Sequence, residues 1–341
     1  METIKYAGTQ FNVPIVLFSF IREDKILQII ERIKIINPSK IYLISDGGRN
    51  ELEHKKVIDC RKKIEERIDW DCQIVKKYSS SNIGVFENIA GGAKWVFERE
   101  ESAIFLEDDN LPAFSFFQFC DELLTKYKGD MRILWICGTN YLKEYTPKDG
   151  SSYVFTKNMM PCGWASWREK FIEYYDSHFS LWNEKLIKRK ISKEYFYKPL
   201  FYQDYSNWVS EIERFKKIGR YASWDYQMSW SIRIHNKYGI APKYNQINNI
   251  GVDEHSIHGG NSTNLVMTQR FCNIQTKELE FPLKHPLSLK IDKNFEEETA
   301  KIITYPFKMR LRIAISNSLK KLFKVDRDLS LTEQLKKRYI R

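Results

Sequence analysis

Short, almost wholly apolar segments alternate with segments of helical periodicity through the first half of this 341-residue chain, which limits the fold more than any other feature. The segment VPIVLFSF at 13–20 predicts a strand buried on both faces. The isoleucines that follow recur at helical spacing and form one face of an amphipathic helix that ends before Pro38. They are Ile26, Ile29, Ile30, Ile33 and Ile36.

The same alternation continues beyond this first pair. Further strands are predicted at 40–45, 72–77, 102–106 and 132–138, and further helices at 51–68, 86–98 and 112–128, the last one opened by Pro112. Strand and helix in strict alternation predict an α/β fold, a mostly parallel sheet with helices on both faces. Ligands of such sheets bind beyond the carboxyl ends of the strands.

Three consecutive acids, Glu107, Asp108 and Asp109, follow one of these predicted strands in the segment FLEDDN. Carboxylates packed together repel one another and lose hydration unless a cation offsets their charge. A hard ion such as Mg²⁺ or Mn²⁺ binds one or two carboxylates and completes its shell with water and phosphate oxygens. Because side chains alternate along a strand, Glu107 and Asp109 are expected to face one way and Asp108 the other. The alternative is a solvated acidic turn or a helix cap.

The second half of the chain is rich in aromatic residues. Between 151 and 240 it carries six of the nine tryptophans, and at least four of these six are expected in the core, since large aromatic side chains are more often core than binding platform. A glycine-containing segment, NIGVDEHSIHGG at 249–260, offers His255 and His258 as candidate contacts for a diphosphate or a metal, or simply as solvated loop residues.

Composition excludes several classes of protein. No apolar run reaches the length of a membrane helix, and the first residues, METIKYAGTQ, lack the pattern of a secretory signal, so we expect a cytoplasmic protein. The six cysteines form no C-x-x-C pair, which argues against a zinc site and against a disulfide framework.

The net charge of +11 lies mostly at the carboxyl end. Residues 301–341 hold twelve lysines and arginines against three acids, with apolar residues between them. A helix over 308–324 would align Leu311, Ile315, Leu319 and Leu322 in one apolar stripe. Two interpretations stay open: the stripe lies on an anionic membrane surface, peripheral on its inner face, or it packs on the body of the protein.

The ordered series PIVLFSFIR, LISDGGR, NIG, FLEDD, GTNY, MPCGWASW and SWDYQ over about residues 13–260 resembles GT-A glycosyltransferases. It is most similar to the inverting N-acetylglucosaminyltransferase type and its bacterial relatives. The resemblance implies a Rossmann-like GT-A domain whose residues 1–150 bind a nucleotide sugar and whose residues 151–290 bind the acceptor. Residues 291–341 then form a basic helical extension.

Matched by position, five residues on the donor side receive roles from this resemblance. Arg22 corresponds to an arginine near the nucleotide, and Asp46 to the acid that accepts a hydrogen bond from uracil. Asp108 corresponds to the acid near the ribose, Asp109 to the direct metal ligand, and Glu107 to a positioning residue. The implied cofactor is Mn²⁺ or Mg²⁺, and the implied donor is a UDP-sugar.

On the acceptor side, Trp164 lies in the matched segment GWASW, and Asp225 in SWDYQ corresponds to the catalytic base. Tyr226 stands where the family has a second acid. From the residues alone, Asp225 could instead cap a helix that starts at Tyr226.

The resemblance implies a metal-dependent transferase that moves a sugar to a glycan or lipid-linked acceptor, inverting the anomeric centre. Two alternatives remain. A sugar nucleotidyltransferase shares the sheet and the acids, but it usually has a glycine-rich loop where this chain reads SFIRED. A non-catalytic basic protein that binds membrane or nucleic acid would account for the tail, although no nucleic-acid motif is present and no specific nucleic-acid partner is expected.

Overall fold

The computed structural model describes residues 10–252, 265–323 and 325. Their strands are β1 (Ile15–Ser19), β2 (Lys40–Ser45), β3 (Gln73–Tyr78), β4 (Ser102–Glu107), β5 (Asn110–Pro112), β6 (Ile133–Cys137), β7 (Tyr153–Thr156), β8 (Trp164–Trp167), β9 (Tyr238–Pro242) and β10 (Ile247–Asn249). Their α-helices are α1 (Glu23–Ile36), α2 (Glu51–Arg67), α3 (Gly92–Phe97), α4 (Ser115–Lys126), α5 (Arg168–Tyr174), α6 (Glu184–Arg189), α7 (Lys198–Ile218), α8 (Asp225–Ile234), α9 (Val266–Phe271), α10 (Lys293–Ile303) and α11 (Phe307–Leu322).

Eight of these strands form one mixed, mostly parallel sheet in the order β3-β2-β1-β4-β8-β6-β9-β7. β1, β2, β3 and β4 are parallel, as the alternating sequence predicts. β8 runs antiparallel to both of its neighbours, β4 and β6. The predicted α/β class is therefore confirmed, and both halves of the chain contribute strands to the same sheet.

The two faces of the sheet are covered by different hydrophobic clusters. Alternate residues of β1, β2 and β4 pack with the isoleucine stripe of α1 and with α2 and α4 on one face. The residues between them pack with α3, α5, α7 and α8 on the other face, where most of the tryptophans lie. Of the six tryptophans between 151 and 240, five are buried, which confirms the expectation of at least four.

The helix predicted over 112–128 begins later than expected. Asn110–Pro112 forms the short strand β5, which pairs antiparallel with β10, and α4 starts only at Ser115. The backbone N–H of Ala113 donates to the carbonyl of Gln246, so the chain is held extended through Pro112 by a segment far away in sequence. Pairing with a distant strand overrides the local preference of proline for a helix start. The two-stranded ribbon formed by β5 and β10 brings β10 next to the end of β4.

Candidate functional site

The carboxyl ends of β1, β2 and β4 meet the start of α8 and the end of β10 around a cavity of about 400 Å³. This is the edge of a parallel sheet where ligands are expected. Six of the eight residues predicted from the sequence line the cavity: Arg22, Asp46, Glu107, Asp108, Asp109 and Asp225. They come from four separate stretches of the chain.

Asp109 lies at the turn after β4 and is surrounded by hydrogen-bond donors. Its Oδ2 accepts from Nη1 of Arg22 at 2.8 Å, and its Oδ1 accepts from Nδ2 of Asn110 at 2.6 Å and from Nδ2 of Asn249 at 3.3 Å. A methyl group at Gly251 would lie 2.2 Å from Asp109 Oδ2, so only glycine leaves room for this carboxylate. The ribbon of β5 and β10 thus fixes the Asp109 side chain.

Asp108 lines the same cavity as Glu107 and Asp109, so the prediction that it faces the other way is wrong. β4 ends at Glu107, and the strand alternation ends with it. In the turn, Asp108 accepts from the backbone N–H of Phe20 at 3.2 Å and from Nη1 of Arg22 at 3.3 Å. A single guanidinium therefore bridges Asp108 and Asp109 at the end of β1.

Burial and mutual repulsion make this cluster reluctant to ionise. Burial, followed by the neighbouring charge of Asp109, raises the pKa of Asp108 to about 7. The pKa of Glu107 is raised well above its usual range by burial and by Asp109, Asp108 and Asp225. Burial also raises the pKa of Asp109, although Arg22, Asn110 and Lys25 oppose the shift. Repulsion between these carboxyl groups is therefore only partly offset by Arg22, and a bound cation would relieve it.

Asp46 lies at the end of β2 and is 5% exposed. Its Oδ1 accepts from the backbone N–H groups of Gly47 and Ile83, both at 2.8 Å. Its Oδ2 accepts from the backbone N–H of Gly84 at 3.0 Å and from Nδ2 of Asn82 at 2.9 Å. Asp46 thus ties the turn after β2 to the loop after β3, and four donors already occupy the carboxylate that was expected to contact uracil.

Asp225 is the first residue of α8 and lines the cavity from the second half of the chain. The hydroxyl of Ser223 accepts from the backbone N–H of Tyr226 at 3.2 Å and donates to Oδ1 of Asp225. Ser223 therefore supplies the capping oxygen that Asp225 could have supplied in the alternative interpretation. The Asp225 carboxylate accepts from Ser223 through Oδ1, and Asp225 lines the cavity.

Trp164 lies in the core rather than on the cavity wall. Its indole is 1% exposed and stacks between Phe105, at 3.8 Å between ring centroids, and Trp135, at 4.3 Å. It lies on β8 behind the carboxylates, where it supports β4 through packing. His258 lies outside the described residues.

Several polar residues that the sequence did not single out also line the cavity: Arg49, Asn88, Asn110 and Asn249. Asn88 is 8% exposed, and its buried Oδ1 has no hydrogen-bond partner among the described residues. It lies in a π-helical turn, Glu87–Gly91, a feature frequent at functional sites. This turn lies within the helix predicted over 86–98. The sequence did not predict it, because a single π-helical turn leaves no recognisable periodicity.

No three His, Cys, Asp or Glu side chains within the described ranges are arranged so that together they could hold a metal ion. A Mg²⁺ or Mn²⁺ ion on a diphosphate, however, needs only one or two protein carboxylates. The oxygen chemistry of Asp108 and Asp109 is compatible with such an ion, which would also relieve the repulsion within the cluster. The predicted role of Asp109 as metal ligand stays a prediction.

No protein-family model matches this chain, and no curated protein sequence matches it. Solved structures that resemble it include UDP-glucose pyrophosphorylase complexed with UDP-glucose, 12% identical, covering 70% of this chain and 92% of that chain with a TM-score of 0.36. Glucosyl-3-phosphoglycerate synthase from Mycobacterium tuberculosis, in complex with Mn²⁺, UDP and glucosyl-3-phosphoglycerate, is 13% identical and covers 49% of this chain and 61% of that chain with a TM-score of 0.29.

Proposed function

We propose that this protein is a metal-dependent glycosyltransferase that transfers a sugar, with inversion, from a nucleoside-diphosphate donor to a hydroxyl of a glycan or lipid-linked acceptor. The observation that carries the proposal is the arrangement of two separate acidic groups around one cavity: Glu107, Asp108 and Asp109 at the end of β4, and Asp225 at the start of α8. A metal-assisted inverting transfer uses carboxylates to hold the ion that neutralises the leaving diphosphate, and a separate carboxylate to take the proton of the incoming hydroxyl.

On the donor side, Asp109 with Asp108 would hold a Mg²⁺ or Mn²⁺ ion, which would neutralise charge on the departing diphosphate. Arg22 lies against both carboxylates and fixes their orientation through its hydrogen bonds. Glu107, whose pKa burial and the neighbouring acids raise well above its usual range, ends β4 and positions the turn that carries them. We propose a uridine nucleotide as donor, in line with the resemblance of the sequence motifs.

Asp46 acts indirectly in this proposal. Because its oxygens are occupied by four donors, it holds the loop that carries Asn82 to the cavity wall. Asn88 offers an amide whose oxygen is free for a ligand donor such as the N–H of a nucleobase or a sugar hydroxyl. Recognition of the nucleotide would then depend on these amides more than on Asp46.

On the acceptor side, Asp225 takes the proton of the attacking hydroxyl. As that oxygen bonds to the anomeric carbon, the bond from this carbon to the diphosphate oxygen breaks, and the nucleoside diphosphate leaves with the electron pair. Ser223 donates to Asp225 Oδ1 and thereby orients the carboxylate. Trp164 supports the site from behind β4 without touching the substrate.

A thermal-shift panel of nucleotide sugars, each measured with and without Mn²⁺, tests the donor assignment first. A ligand that binds only the folded protein raises its melting temperature. We expect the largest rise with a UDP-sugar plus Mn²⁺, and a smaller rise with GDP-sugars. A panel in which no nucleotide sugar shifts the melting temperature would contradict the proposal.

Turnover of the best donor then tests the chemistry. We expect release of UDP and a fall in turnover on the order of 10²-fold or more for Asp225→Asn, with donor binding retained. Asp24→Asn is the matched control, since Asp24 occupies the first turn of α1, is exposed and lies outside the cavity. Release of pyrophosphate from a nucleoside triphosphate and a sugar phosphate would instead identify a sugar nucleotidyltransferase.

A further inference from the structure

Helix α11 presents a continuous apolar stripe to solvent. Its members recur at intervals of four, four, four and three residues, which places them on one face of a helix. They are Phe307, Leu311, Ile315, Leu319 and Leu322, which are 69%, 50%, 51%, 36% and 72% exposed. None of the residues of α11 is buried. The interpretation that this stripe packs on the body of the protein is therefore wrong.

The packing changes between α10 and α11. Ile302 and Ile303 of α10 still pack against the core, and Thr304 is buried, whereas α11 contributes nothing to either hydrophobic cluster. The other side of α11 is only half-buried, at positions such as Ile313 and Ser316. The apolar stripe of α11 thus faces solvent.

The charges of α11 have a single sign. The helix contains five basic residues and no acid: Lys308, Arg310, Arg312, Lys320 and Lys321. Three of them, Lys308, Arg312 and Lys321, are exposed beside the stripe. An exposed apolar stripe flanked by cationic residues is complementary to a surface that accepts apolar side chains and also carries negative charge.

We propose that α11 lies in the headgroup region of an anionic lipid membrane, with its apolar stripe inserted and its lysines and arginines on the lipid phosphates. Among the described residues no helix is long and apolar enough to cross a membrane, so the contact is with one surface. A second copy of the chain is a poor partner, because two helices with five positive charges each would repel. A nucleic acid would satisfy the charges but leave the stripe in water. This inference is independent of the activity proposed for the cavity.

Vesicle flotation with the full chain tests the proposal, using phosphatidylglycerol vesicles and phosphatidylcholine vesicles at low and high salt. The wild-type protein should float with the anionic vesicles at low salt and remain in solution with the neutral ones. In the stripe variant, Leu311→Ser, Ile315→Ser and Leu319→Ser are combined, and binding should fall at least tenfold. In the charge variant, Lys308→Gln, Arg312→Gln and Lys321→Gln are combined. Each basic residue near an anionic surface contributes about fivefold, so binding should fall about a hundredfold.

Matched controls remove equivalent groups elsewhere. Leu52→Ser, Ile58→Ser and Leu287→Ser remove exposed apolar side chains outside α11, and Lys55→Gln, Lys56→Gln and Lys185→Gln remove exposed charges. Both controls should bind vesicles as the wild type does, and circular dichroism should show all variants folded. Wild-type protein that stays in solution with anionic vesicles, or a stripe variant that binds as tightly as wild type, would overturn the proposal. Stripe-dependent dimerisation in sedimentation velocity without vesicle binding would do the same.

Discussion

The ends of β2 and β4 both bring acids to the same cavity, yet their surroundings are opposite. Asp46, after β2, accepts four hydrogen bonds, three of them from backbone N–H groups. Asp108 and Asp109, after β4, share one guanidinium with each other and lie beside a third acid, Glu107. The first carboxylate is satisfied by the protein, whereas the others form a cluster whose charge the protein only partly offsets.

We propose that this difference separates a structural acid from functional ones. A buried carboxylate with a full set of donors stabilises the fold, and its removal strands those donors without partners. Acids packed together raise one another's pKa values and favour the arrival of a cation. The sequence motifs alone do not distinguish Asp46 from Asp109, since both follow an apolar strand, whereas their hydrogen-bond partners differ.

The largest effect is expected for Asp109→Asn. Loss of the proposed metal ligand should lower transfer at least a thousandfold, since metal stabilisation of a leaving group contributes several kcal/mol. The free energy of unfolding should change by about 1 kcal/mol or less, because the variant also relieves repulsion within the cluster. The transfer rate is measured in the presence of Mn²⁺, and the free energy of unfolding is measured by urea denaturation. Asp71→Asn, at an exposed position outside the cavity, is the control. Wild-type turnover in Asp109→Asn would end the metal assignment.

Asp46→Ala should show the reverse pattern, with stability as the main loss. Hydrogen bonds to a charged acceptor contribute about 1.5–3 kcal/mol each, and buried donors left unpaired add a cost, so unfolding should become easier by about 3 kcal/mol or more. Asp59→Ala, at an exposed position on α2, should be near neutral. Urea unfolding checks both variants. If Asp46→Ala keeps wild-type stability but loses affinity for UDP, Asp46 contacts the nucleotide after all and the comparison fails.

A smaller effect is expected from Gly251→Ala, which alters the β4 end without removing a charge. The added methyl group would lie 2.2 Å from Asp109 Oδ2, so the carboxylate must move. We expect turnover to fall about tenfold, in keeping with the cost of misplacing a catalytic group. Gly129→Ala is the control, since a methyl group there meets nothing within 4 Å. Equal turnover in the two variants would mean that the position of Asp109 is unimportant.

The smallest effect is expected for Asn82→Ala at the β2 end. Its amide donates to Asp46 Oδ2 and to the carbonyl of Gly47, and three other donors to Asp46 remain when it is lost. Stability should fall by about 1 kcal/mol, clearly less than in Asp46→Ala. The urea midpoints of the two variants, compared directly, check this order. A larger loss of stability in Asn82→Ala than in Asp46→Ala would mean that Asn82 contributes more to the fold than Asp46 does.

Much of the candidate site could be predicted, because strand ends are visible in sequence. Asp46 and the acids at 107–109 each follow an apolar strand, and parallel strands gather their carboxyl ends at one edge. The partners of these acids could not be predicted. Asn249 reaches Asp109 only because β10 pairs with β5, and the two strands are more than a hundred residues apart in the chain. Asn88 reaches the cavity from a π-helical turn that leaves no periodic trace.

Two helices show what sequence by itself determined and what tertiary structure decided. Periodicity predicted both α1 and α11, since recurring apolar residues at helical spacing indicate a helix wherever the stripe ends up. All five isoleucines of the α1 stripe are fully buried against the sheet, whereas the stripe of α11 faces solvent. Spacing along the chain determines which residues share a face. Whether another element covers that face is decided by sheet pairing and helix packing between distant segments of the chain.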